Sequence, residues 1–275
     1  MIDSGTASQL ARAAAHRTDE IVKALSGDAG LPGGADLDGP SRLEGWSRLT
    51  ILCHLRYGAR ASRRMTEETL QGRAGSFYPE GRSSQRPSTL APEPGEDPPA
   101  VVGSLAQESR LLQDLWSGLS EAQWDMKIVE PARNPDFGAG LTIGDLATLR
   151  LTEVEVHGFD LDVGLDSWSD VFVDAALPMR LGWLATRRSN HSDVDRAVQG
   201  SWKLVASDGP TWIVEVKGKD VSSWQTGVAD AADAIIGGSS RDLLAMLVGR
   251  PTEEPLLFDG DVSLAKAFKE AFPGP

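Results

Sequence analysis

Near Asn190 the spacing of apolar residues changes from the repeat of amphipathic helices to that of strands, and this change divides the 275-residue chain. Upstream, Leu10, Ala13, Ala14, Ile21, Val22 and Leu25 predict a helix over Ser4–Ser26, with Gly27 as its stop. Ser47 caps a second helix from Arg48 to about Thr69, and a third runs from about Pro98 to Leu119 through Val101, Val102, Leu105, Leu112 and Trp116. A fourth opens at Thr142, which with Asp145 resembles a capping box, and contains the stretch from Leu151. A fifth pattern covers about Ser169 to Arg188, with Pro178 expected to break or bend it. Residues 27–40, 72–100 and 127–140 read as irregular; the second of these holds Pro79, Pro87, Pro92, Pro94, Pro98 and Pro99 and has the length of a lid or binding loop.

Downstream, Trp202–Ala206 and Thr211–Val216 are strand-like and flank the turn Ser207-Asp208-Gly209-Pro210. Short runs at Val221–Trp224 and Ala232–Ile236 follow, then helices over Ser239–Val248 and Val262–Phe272. The expected architecture is α+β: a four-helix bundle in residues 1–190 and a smaller α+β domain in residues 191–275.

Composition removes several function classes. A formal net charge of -13 argues against nucleic acid or an anionic membrane as the main partner, because both select basic patches. No run approaches the ~20 apolar residues of a membrane span, and the charged start carries no signal-peptide block, so a cytoplasmic location is expected. The single cysteine, Cys53, excludes an internal disulfide and a cysteine-based zinc cluster.

Candidate chemistry centres on Glu153 and His157, four residues apart and hence on one helix face. His54, in the apolar second helix, completes a two-histidine, one-carboxylate set if those helices pack together, leaving a fourth tetrahedral position open. Each residue has a plainer reading. His54 fits a hydrogen-bonded core histidine, and Glu153 fits an ion pair with Arg150. Asp160 either orients an imidazole through a hydrogen bond or sits on the surface. Glu155 points about 200° away from Glu153 and reads as solvated, and Cys53 reads as a buried, inert thiol.

The segments Leu43-Glu44-Gly45-Trp46-Ser47 and Leu52-Cys53-His54-Leu55 resemble the opening of the second helix in the mycothiol-dependent maleylpyruvate isomerase family. Glu153-Val154-Glu155-Val156-His157 with Asp160-Leu161 is similar to that family's later metal helix, and Arg241–Arg250 to a segment of its smaller sterol-carrier-like domain. The resemblance implies a DinB-like four-helix bundle holding a divalent cation, zinc first, through His54, Glu153 and His157. It also implies a mycothiol-type thiol as cosubstrate, with Asp160 and Arg250 in catalysis and Arg82 and Arg250 in cofactor binding. For Arg250 a surface residue at a helix C-terminus is the competing reading. The proline-rich stretch after Arg82 departs from the family pattern, which leaves the electrophile open.

A free thiol has a pKa of about 8.5, and a divalent cation removes its proton. The implied activity is attack of that thiolate on an electrophilic small molecule, either adding and leaving as an isomerase or remaining as an S-transferase with mycothiol or ergothioneine. A non-catalytic ligand-binding module and a metal-dependent hydrolase are the competing classes. Oligomeric state is not legible in the sequence.

Overall fold

In the computed structural model, residues 3–26, 36–129, 140–190, 196–227 and 229–273 are described. The chain divides into two compact units, Met1–Phe172 and Val173–Pro275. This division falls ahead of the change in periodicity near Asn190.

The first unit is built on α1 (Ser4–Leu25), α2 (Arg48–Leu70), α3 (Arg82–Thr89), α4 (Pro98–Ser117), α5 (Glu121–Trp124) and α6 (Ile143–Asp160). Side-chain caps fix where the long helices begin. Asp3 accepts from Thr6 N at 2.9 Å, Ser47 from Thr50 N at 3.2 Å and Asp97 from Ala100 N at 2.9 Å. At α6 the capping box is reciprocal: Thr142 Oγ1 accepts from Asp145 N at 3.2 Å, and Asp145 Oδ2 accepts from Thr142 N at 2.8 Å.

The four long helices close a ring in which α1 packs on α6 and α4, and α2 packs on the same two. Leu10, Ile21, Ile51, Leu52, Leu55, Met65, Leu105, Trp116 and Ile143 fill the interior, each at most 2% exposed. Gly158 permits the close crossing of α1 and α6, since a Cβ there would stand 3.1 Å from Arg17 Nε.

Two sequence expectations for this unit change. The stretch 72–100 contains an element, α3, which starts after Gly81 at φ 86, a backbone state glycine adopts without strain. Its remainder is pinned by charge. Arg56 Nη1 donates to both Glu96 oxygens at 2.6 and 2.7 Å, and Arg60 reaches Glu93 at 2.9 Å. Glu155 is not solvated; it is 2% exposed, because α1 covers the face of α6 opposite to α2. Of the predicted irregular stretches, 27–35 and 130–139 lie outside the described residues.

Helix α7 (Asp170–Gly182) begins in the first unit and ends in the second; α8 (Leu184–Asn190) follows. The helix continues through Pro178, and the interruption falls at Trp183 instead. The second unit then forms β1 (Gly200–Ala206), β2 (Thr211–Lys217), β3 (Asp220–Thr226), β4 (Ala234–Gly238), α9 (Ser240–Leu247), β5 (Leu257–Gly260), α10 (Val262–Lys266) and α11 (Phe268–Ala271).

The sheet order is β3-β2-β1-β4-β5, with β1 and β4 parallel and the other neighbours antiparallel. Trp202 on β1 is fully buried against the rings of Phe268 and Phe272, and its indole donates to Leu264 O at 2.8 Å. The predicted helix over Val262–Phe272 is two short ones meeting at Ala267. The described fold is mixed α+β, a helical amino-terminal unit followed by a five-stranded sheet with helices.

Candidate metal centre

His54 leaves the second turn of α2, and Glu153 and His157 leave successive turns of α6, so the packing of these two helices brings the three together. His54 Nε2 lies 2.7 Å from Glu153 Oε2, and His157 Nε2 lies 3.6 Å from the same oxygen. One ligand atom from each residue falls within a mutual 4.8 Å. Two donors on a tetrahedral zinc stand about 3.4 Å apart, so small side-chain rotations let the set close on a divalent cation. The histidine side chains are 13% exposed and that of Glu153 is 41% exposed, so the set opens to solvent along the carboxylate.

Supporting groups fix the imidazoles. Asp160, fully buried, places Oδ2 2.9 Å from His157 Nδ1, which leaves Nε2 facing Glu153. Burial pushes the pKa of His54 down, outweighing the Glu153 hydrogen bond that pulls it up, so the ring is held in the neutral form a metal ligand needs. Trp46 walls the site: its ring stacks on His157 at 6.0 Å between centroids and meets His54 edge-on at 5.5 Å.

Neighbouring polar groups resolve into other roles. Arg150 is buried, and its Nη1 donates to Leu55 O at 2.8 Å, clamping α6 to the turn of α2 that follows His54. Desolvation lowers its pKa to about 10, with the charge of Glu153 opposing that fall. Glu155 faces the opposite way, with Oε2 3.2 Å from Arg17 Nε and Oε1 accepting from the Ser169 hydroxyl. Cys53 is buried, and desolvation raises its thiol pKa to about 11, which leaves it protonated and inert.

Arg82 is exposed at the first residue of α3. Arg86, one turn later, is the arginine beside the site: its guanidinium stands 5.9 Å from the Trp46 ring centroid and its charge is felt at His54. Sequence reasoning missed Arg86 because α3 has no apolar period and contains Pro87. Arg250 belongs to the second unit, just beyond α9, where its Nη1 donates to Val248 O at 3.0 Å.

The family described as "Mycothiol maleylpyruvate isomerase N-terminal domain" matches residues 11–162, more than half of the chain and all three candidate ligands. Two solved structures are similar over 95% of both chains: the mycothiol-dependent maleylpyruvate isomerase, at 16% identity and a TM-score of 0.65, and a histidine-to-alanine mutant of it, at 15% identity and the same TM-score. No curated protein matches the sequence.

Proposed function

Since the chain belongs to the mycothiol maleylpyruvate isomerase N-terminal domain family, we propose that it is a metal-dependent enzyme that uses a low-molecular-weight thiol of the mycothiol type as its nucleophile. Its substrate in this reading is an electrophilic small molecule, attacked either as an S-transferase or as a cis-trans isomerase. The observation that carries the reading is the convergence of His54, Glu153 and His157 within 4.8 Å, with Asp160 behind His157.

A divalent cation, zinc first, would supply the charge that strips the thiol proton at neutral pH. The chain's own residues do the rest. His54 stays neutral through burial, Asp160 holds the His157 tautomer, and Trp46 limits the approach on the imidazole side. No protein thiol competes among the described residues, because Cys53 is buried and protonated. Arg82 and Arg250 enter this reading only as the residues that the family resemblance assigns to cofactor binding, Arg250 also to catalysis.

The test is calorimetric titration of mycothiol into metal-loaded and metal-stripped protein. Binding confined to the loaded form is expected; equal binding to both forms, or none to either, contradicts the reading. Following loss of free thiol against cis-to-trans conversion over an electrophile panel then separates transferase from isomerase.

A further inference from the structure

Among the described residues of the helical unit, three arginines are at most 7% exposed: Arg17, Arg56 and Arg150. Arg17 pairs with Glu20 and Glu155, and Arg56 with Glu96. Arg150, 3% exposed, has no such counter-ion. Its Nη1 donates to Leu55 O at 2.8 Å, and its buried Nη2 has no hydrogen-bond partner among the described residues. Arg48 and Arg64 also meet no carboxylate there, but both are partly exposed and each donates to two carbonyls, so solvent screens their charge. The small gap beside Arg150 is walled mainly by Ala11, Ala14, Leu112 and Trp116, and the Gln113 oxygen on it makes no bond to the guanidinium.

A buried cation without a bonded counter-ion weakens a fold, and an apolar side chain of similar volume generally serves packing better. Packing alone therefore does not account for a charge at this position. Desolvation brings the Arg150 pKa down only to about 10, so the charge is present at neutral pH, and what offsets its burial is the charge of Glu153, one turn further along α6. In an apolar interior a fixed positive charge acts over a long range: it opposes a divalent cation and favours an anion. We propose that Arg150 acts through Glu153, offsetting part of the carboxylate's charge, so that the His54–Glu153–His157 set holds its cation less tightly and a thiolate at its open side more tightly. The proposal rests on the metal- and thiol-dependent reading above.

The test compares the full chain as wild type, Arg150→Met and Arg150→Lys by two affinities at one fixed pH. Chelator competition gives the affinity for cobalt(II), and the thiolate absorption band of the cobalt form gives the affinity for 2-mercaptoethanol. Arg150→Met should hold cobalt about tenfold more tightly and the thiol several-fold more weakly, with a denaturant midpoint no lower than that of wild type. Arg150→Lys keeps the charge and should stay near wild type in both, as should Arg110→Gln, which removes a charge from an exposed position on α4. A merely structural arginine moves the two affinities together: both fall when it is removed. That result, or unchanged affinities in Arg150→Met, overturns the proposal. If Arg150→Met does not fold, Arg150→Gln, which is neutral and keeps an N–H donor, is read by the same two affinities. Absence of a thiolate band in wild type, despite bound cobalt, removes the underlying reading and this proposal with it; a band in wild type without opposite shifts in the neutral variant removes the proposal alone.

Discussion

On α6, Glu153 meets His54 from one side, while Glu155 is buried against Arg17 and Ser169 on the other. Burial pushes the Glu155 carboxyl up, with Ser169 and Arg17 pulling against it, so the pair is structural and costly to break. Glu155→Ala should lower unfolding stability by about 3 kcal/mol and leave metal content unchanged; denaturant titration beside elemental analysis checks both halves. Asp160→Asn should weaken metal affinity about tenfold or more, measured by chelator competition, because it loosens His157 without removing a ligand. Cys53 provides a pH test. Burial pushes its folded pKa up to about 11, above the ordinary thiol value of 9.0, so the unfolded chain deprotonates first as pH rises. Stability from this group is complete below pH 9 and declines toward 11, and Cys53→Ala should flatten that decline in unfolding curves at stepped pH.

At the level of elements, the segment between α2 and α4 owes its order to charge. Burial raises the Glu96 carboxyl, but the Arg56 bonds outweigh it and hold the group below the ordinary carboxylate range. Its stabilising contribution is therefore present above the ordinary carboxylate pKa and is lost as pH falls through the lowered one. Glu96→Gln should speed proteolysis between residues 90 and 97 severalfold without unfolding the bundle; an unchanged cleavage pattern would mean that the prolines alone order the segment. None of this was legible in the sequence. A glutamate in a proline-rich stretch looks the same whether it meets water or a buried arginine on α2. α3 is invisible for a related reason: RSSQRPST has no apolar face, and Arg86–Tyr78 and Glu80–Gln85 contacts secure it. β5 was missed because all four of its residues are exposed, which erases the alternation that marks a strand.

Across the molecule, features set by local chemistry could be read in advance. Ser47 and the Thr142–Asp145 box cap helices where their side-chain oxygens predict, and the turn at Ser207–Pro210 joins two antiparallel strands. The three-residue set was legible because Glu153 and His157 share a face by helix geometry alone, and His54 joins them on the single condition that α2 packs on α6, which it does. Glu155 was misread because its partner, Arg17, lies on a helix that only the closed ring brings near. The most direct test of the account is elemental analysis of purified wild type, His54→Ala, His157→Ala and Glu155→Gln. One equivalent of a divalent metal is predicted in wild type and Glu155→Gln, with little or none in the two histidine variants. Full metal retained by either histidine variant, or no metal in wild type after reconstitution, would contradict the shared site.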